Sequence, residues 1–202
     1  MQYKSPCFAH TNSAPKKQKG DLYMKATGIV RRIDDLGRVV IPKEIRRTMR
    51  IREGDPLEIY TDHEGEVIFK KYSPIGEMAQ FAGQYAETLH KTCGLSVVIC
   101  DRDAVIACAG VPKREYLDRK ISQEAEALVE NRQLYHSPDA SGASIVDGGY
   151  PIGCLMPIIT EGDITGCVAS LRSGENDGKV SPELEAKLIQ TAAGFLGKQL
   201  ES

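Results

Sequence analysis

Nowhere does this chain of 202 residues carry the run of about 18 apolar residues that a membrane-spanning helix needs. Its opening, "MQYKSPCFAHTNSAPKKQKGDLY", has no apolar h-region either, which excludes a secretory leader and points to a cytoplasmic protein. The six cysteines, at positions 7, 93, 100, 108, 154 and 167, form no C-x-x-C pair. Four of them, Cys100, Cys108, Cys154 and Cys167, sit in apolar strand-like runs and read as reduced, buried thiols. The four histidines show no metal spacing, and neither a G-x-S-x-G elbow nor a P-loop occurs. No cofactor and no metal are expected. The enzyme reading is left with cysteine redox chemistry at Cys108 or Cys154, a weak alternative for thiols in apolar runs.

What is present is an uneven distribution of charge. The formal net charge is −2, yet residues 25–52 hold nine basic side chains against three acidic ones, while residues 73–202 hold eleven against eighteen. An acidic chain with one basic block suggests a local polyanion site rather than general stickiness. The block comprises Lys25, Arg31, Arg32, Arg38, Lys43, Arg46, Arg47, Arg50 and Arg52. Seven of these nine are arginine, whose forked guanidinium suits bidentate contacts to phosphate and guanine. No aromatic residue is interleaved among them, which argues against base stacking and for duplex DNA. An ordinary solvated face is the competing reading. Convergence of a strand, a turn and a helix within so small a unit favours nucleic acid.

Punctuation along the chain suggests three segments. Residues 1–23 are rich in Lys, Ser, Pro and Gln and read either as a disordered tail or as an extension upstream of a start at Met24. From there the pattern becomes structured: strands over 27–33 and 38–41 around a "DDLG" turn, a helix opened by Pro42, then strands over 56–60 and 66–72. Ser73–Pro74 and Ser181–Pro182 are N-cap and N1 pairs opening helices to about 92 and 200, with Gly94 closing the first. Between them lie hairpins at 96–110 and 150–172, a helix over 122–132, and two further candidate strands, "QLYHS" and "ASIVD". That order is α+β with an antiparallel sheet flanked by helices. The helix after Pro182 carries two apolar stripes, Leu184–Leu188–Ala192–Phe195 and Ile189–Ala193–Leu196–Leu200. Spacing alone allows one broad core face, or one stripe on the sheet and the second, with Leu196 and Leu200, against another protomer.

The continuous stretch "MKATGIVRRIDDLGRVVIPKEIRRTMRIREGDPLEIY" resembles the swapped-hairpin DNA-binding domain of the AbrB family of transition-state regulators, over residues 24–72. The motifs "SPIGEMAQFA", "VVICDRD" and "TAAGFL" resemble those members that couple such a domain to a GAF domain and regulate sporulation genes. The resemblance implies a dimeric swapped-hairpin β-barrel over 24–72, and over 73–202 a GAF-like domain for effector sensing or oligomerisation. It implies DNA contacts from Arg31, Arg32, Arg38, Arg46 and Arg47, with Lys25 beside them. Lys43 and Arg50 join the set from the helix periodicity. The implied function is a sequence-tolerant, double-stranded-DNA-binding transcription regulator, activator or repressor, associated with the nucleoid. Its partners are DNA, its own copies as swapped dimer and then homotetramer, and an unidentified small-molecule effector. Many AbrB-like domains are antitoxins. Those usually end in a short toxin-binding tail, whereas here the remaining chain reads as folded. The size argument agrees with dimerisation: a unit of about 50 residues without disulfide or metal rarely buries enough core alone.

Overall fold

Apolar runs such as "SVVIC" do not alternate, and the reason is that both faces of the strands they form are covered. The computed structural model describes residues 27–137, 142–174 and 180–201, and the chain divides into two compact units, Met1–Pro42 and Lys43–Ser202.

Within the first unit the expected "DDLG" turn is present. Gly37 N–H donates to Asp34 O at 3.0 Å, Asp34 N–H donates to Arg38 O at 3.1 Å, and Gly37 takes φ 77°, a hairpin turn closed by a left-handed glycine. The flanking segments 27–33 and 38–41 form no ladder, contrary to expectation. Strands exist only when paired, and the apolar side chains here are uncovered: Val30 is 88% exposed and Val40 70%.

The second unit begins with α1 (Lys43–Thr48), followed by the antiparallel hairpin β1 (Leu57–Thr61) and β2 (Val67–Lys71). Its larger part is a five-stranded antiparallel sheet in the order β4-β3-β7-β6-β5. The strands are β3 (Ser96–Asp101), β4 (Val105–Ala109), β5 (Tyr135–His136), β6 (Ile152–Thr160) and β7 (Asp163–Leu171). The "QLYHS" segment supplies β5. "ASIVD" forms no strand, contributing one bridge between Ser144 and Pro151.

Helices cover both sheet faces. The expected first long helix is broken at Met78 into a single turn, α2 (Pro74–Glu77), and α3 (Ala79–Cys93). Ser73 Oγ accepts from Gly76 N–H at 3.1 Å, and Gly94 closes α3 at φ 73°. With α6 (Pro182–Leu200), α3 packs on Val97, Ile99, Cys154, Ile158 and Val168. The short α4 (Lys113–Tyr116) and α5 (Gln123–Glu130) cover the opposite face at Val98, Cys100, Leu155 and Cys167. The architecture is therefore α+β with a helix-flanked antiparallel sheet, as the GAF resemblance implies.

Two further expectations can be placed. Cys100, Cys108, Cys154 and Cys167 are buried free thiols, and burial pushes Cys154 up to about 12, far from a reactive thiolate. Leu196, placed by the sequence reading on the stripe facing a second protomer, is instead completely buried beside Ile189 and Ala193 in the core. The other stripe is split: Ala192 is buried in the same core and Leu188 packs against it, so only its two ends face outward. Leu184 is 50% exposed, and Phe195, 39% exposed, stacks on Tyr85 at 5.5 Å between ring centroids. Gly197 settles the choice: a Cβ there would meet the carbonyl oxygen of Ile159 at 2.8 Å, so this side of α6 is the one that approaches β6.

Candidate nucleic-acid interface

Helix α1 is a platform for cations rather than a core element, since none of its residues is buried. Lys43, Arg46, Arg47 and Arg50 border one shallow hollow of about 420 Å³, shared with Arg52 from the following loop and Gln123 and Glu126 from α5. Lys43, Arg46 and Arg47 are exposed and make no ion pair among the described residues. The next two cations differ. Arg52 Nη2 donates to Glu126 Oε1 in a close ion pair, and Arg50 Nη1 lies 4.0 Å from Glu126 Oε2.

The end of α1 explains why Arg50 points where it does. Ile51 N–H donates to Arg46 O at 2.8 Å and Arg50 N–H to Arg47 O at 3.3 Å, the paired bonds of a Schellman cap. The cap requires a left-handed residue, and Arg50 supplies it at φ 51°. Glycine is the residue this position ordinarily favours, because a Cβ there crowds the backbone.

A second ionic cluster follows at once, joining the β1–β2 hairpin to the end of the β3–β4 turn. Asp55, its side chain 2% exposed, accepts from Arg102 Nη1 at 3.1 Å and faces Lys71 Nζ at 3.3 Å. Lys71 also pairs closely with Asp103, and Ser73 Oγ donates to Asp101 Oδ2 at 3.0 Å. Three carboxylates outnumber the two cations here, so this joint offers no free positive charge.

Of the residues selected from the sequence, Lys43, Arg46, Arg47 and Arg50 come together on the one hollow. Arg31, Arg32 and Arg38 belong to the Met1–Pro42 unit, and Lys25 lies outside the described residues. Arg31 and Arg32 are exposed. Arg38 is held across the turn, its Nε donating to Asp34 Oδ2 at 2.8 Å and its backbone N–H to Asp34 Oδ1 at 2.8 Å. Those bonds, backbone first and guanidinium second, with a further one from Leu36 N–H, hold the Asp34 carboxyl below its ordinary value. Sequence reasoning missed Glu126 and the Asp55 joint. Glu126 falls in a helix read only as solvated on one side, 74 residues from Arg52. The doubled charges of "REGD" and "CDRD" were the available signal, and both read simply as turns.

Family models match both parts of the chain. The "Stage V sporulation protein T C-terminal, transcription factor" family covers residues 77–201, and "Antidote-toxin recognition MazE, bacterial antitoxin" covers residues 30–76. At the N-terminal end the chain is similar to the transition state regulatory protein AbrB of Bacillus subtilis (strain 168), 47% identical over 41% of this chain and 84% of that one. It is also similar to the solution structure of the N-terminal DNA recognition domain of Bacillus subtilis AbrB, 63% identical over 25% of this chain and 94% of that one, with a TM-score of 0.23. The class so defined is a transcription factor with an AbrB-like N-terminal part and a helix-flanked antiparallel sheet behind it. Over 88% of its length this chain is 51% identical to stage V sporulation protein T of Bacillus subtilis (strain 168), covering 99% of that protein. The chain belongs to the stage V sporulation protein T family, a family of transcription factors and not of enzymes.

Proposed function

We propose that this chain regulates sporulation genes by binding double-stranded DNA with little sequence preference, as activator or repressor, on the cytoplasmic nucleoid. Residues 24–72 are the DNA-facing part and residues 73–202 the part that senses an effector or assembles the oligomer. The DNA-facing set is Lys25, Arg31, Arg32, Arg38, Lys43, Arg46, Arg47 and Arg50. The observation that carries the reading is the state of α1, where Lys43, Arg46 and Arg47 stand exposed on one hollow, without an ion pair among the described residues, in an otherwise acidic chain. Unneutralised cations held in one place are what a phosphate backbone rewards by counterion release. Replacing Arg38, Arg46 or Arg47 by Ala should weaken binding to unrelated duplexes alike and flatten the log–log salt dependence by about one ion each. Mobility shifts across a salt series check this. Unchanged affinity and slope in all three folded variants would overturn the reading.

Self-association completes it. The uncovered side chains of Val30, Ile33 and Val40, and those of Ile59 and Val67 on the β1–β2 hairpin, support an intertwined dimer in which a second chain supplies the missing strand partners. The outward-facing Leu184 and Phe195 of α6 support pairing of two such dimers into a tetramer.

A further inference from the structure

We propose that Arg50 and Arg52 form a phosphate-binding site beside α1 and that Glu126 of α5 is its resident competitor, an internal carboxylate standing where a DNA phosphodiester would sit. The inference rests on the DNA-binding reading above and adds to it what sets the number of cations offered to DNA.

Three observations carry it. The first is incomplete satisfaction. Among the described residues Arg50 Nη1 and Arg52 Nη1 are both buried atoms without a hydrogen-bond partner, although both guanidiniums are drawn toward Glu126 and Arg52 Nη1 also lies 3.9 Å from Asp103 Oδ1, too far for a hydrogen bond. One carboxylate has two acceptor oxygens, and here a single close bond, from Arg52 Nη2, uses one of them. Two guanidiniums present more donors than Glu126 can accept, and a phosphodiester with its two unesterified oxygens suits the pair better. The second is strain. Arg50 occupies a left-handed cap position at φ 51° where glycine fits without crowding, which marks its side chain as the part that matters. The third is position. The two guanidiniums share their hollow with Lys43, Arg46 and Arg47, so an anion displacing Glu126 joins the same cationic surface rather than a remote pocket.

The competitor is also suitably mounted. Helix α5 buries Ala125 and Val129 against the sheet face opposite α3 and α6, and leaves Glu126 half-buried at the hollow. Its N-terminus is fixed through Ser122, whose hydroxyl donates to Ser144 O at 2.6 Å and accepts from Ala125 N–H at 3.0 Å. Any movement of α5 over the sheet therefore changes how firmly Glu126 holds the two arginines. The sheet side can regulate DNA affinity in this way without touching DNA.

The test uses the full chain and a random-sequence duplex, with affinity read by fluorescence anisotropy from low to high salt. Glu126→Gln keeps the shape and removes the charge. It should raise affinity about tenfold near 0.1 M salt and steepen the log–log slope by about one ion, since the one phosphate that the two arginines then neutralise adds about 0.9 to that slope. The triple change Glu126→Gln with Arg50→Ala and Arg52→Ala should abolish the gain. Unchanged or reduced affinity in Glu126→Gln, with wild-type binding intact, overturns the inference alone. Absence of salt-dependent binding by the wild type overturns the DNA-binding reading instead. Should Glu126→Gln fail to fold, hydrogen exchange on the wild type decides the matter. Amides 123–130 should exchange faster when the duplex is added, because phosphate takes the arginines from Glu126. Unchanged or slower exchange there overturns the inference.

Discussion

A single residue, Arg50, shows stability and function pulling in opposite directions. Its left-handed conformation at the end of α1 costs an L-residue on the order of 1–2 kcal/mol, part of which glycine would return to unfolded-chain entropy. Its ion pair with Glu126, at 4.0 Å and one-third exposed, contributes only a few tenths of a kcal/mol. The magnitudes favour the backbone term. Arg50→Gly should therefore raise stability by up to about 1 kcal/mol in urea unfolding while weakening DNA binding, which anisotropy measures separately. Loss of stability would mean that the side chain holds α5 more strongly than its geometry indicates. Asp34 makes the contrasting case within its own unit. Its bonds to Arg38 fix a turn, and its lowered proton affinity means that this support is complete above the ordinary aspartate value of 3.8 and fades as pH falls through the lowered one.

At the scale of elements, helix α6 decides how copies can meet. Its buried side, Ile189, Ala193 and Leu196, belongs to the core, and its open side presents Leu184 and the Phe195 ring stacked on Tyr85. Substituting Leu184 by Glu should halve the assembly mass by light scattering and leave the melting temperature nearly unchanged, whereas Phe195→Glu should also lower that temperature, because that ring packs on Tyr85 and Phe81. Leu196→Glu should instead unfold the sheet domain, at several kcal/mol for a charge placed in a sealed core. The sequence could not separate these stripes, because both are apolar at helical spacing and only contact with β6 breaks the tie. Caps were more legible: Ser73, Gly94 and Ser181 each act where local chemistry places them, since capping depends on neighbours two or three residues away. The same locality made the cations of α1 readable and hid the carboxylate that pairs with Arg50 and Arg52 just beyond it. Glu126, Asp103 and Arg102 meet the hairpin through tertiary packing that no local pattern encodes. The strands expected at 27–33 and 38–41 failed for a related reason: their β-branched pattern is real, but a ladder needs a neighbour outside the segment.

For the whole molecule, the balance of surface is what supports the proposed self-association. Val30, Ile33, Leu36 and Val40 are between 68% and 88% exposed, an arrangement that water penalises in any monomer. An isolated fragment 24–72 should sediment as a dimer, and its melting temperature should climb with protein concentration, because folding and association are one reaction. A concentration-independent transition would contradict that. The topology of the sheet carries another consequence, this one for the timing of synthesis. The interior strand β3 lies between β4, which follows it directly, and β7, whose Leu171 pairs with Ser96. On a ribosome adding about 5–20 residues each second, β3 and β4 emerge as an isolated hairpin and wait several seconds for their other neighbour. The β1–β2 hairpin needs no such delay, as Leu57 to Thr61 meet Val67 to Lys71 across a short loop. Nascent chains therefore offer their partner-seeking N-terminal segments first. For the proposed dimer, two neighbouring ribosomes on one message can interlace those segments before either sheet has closed.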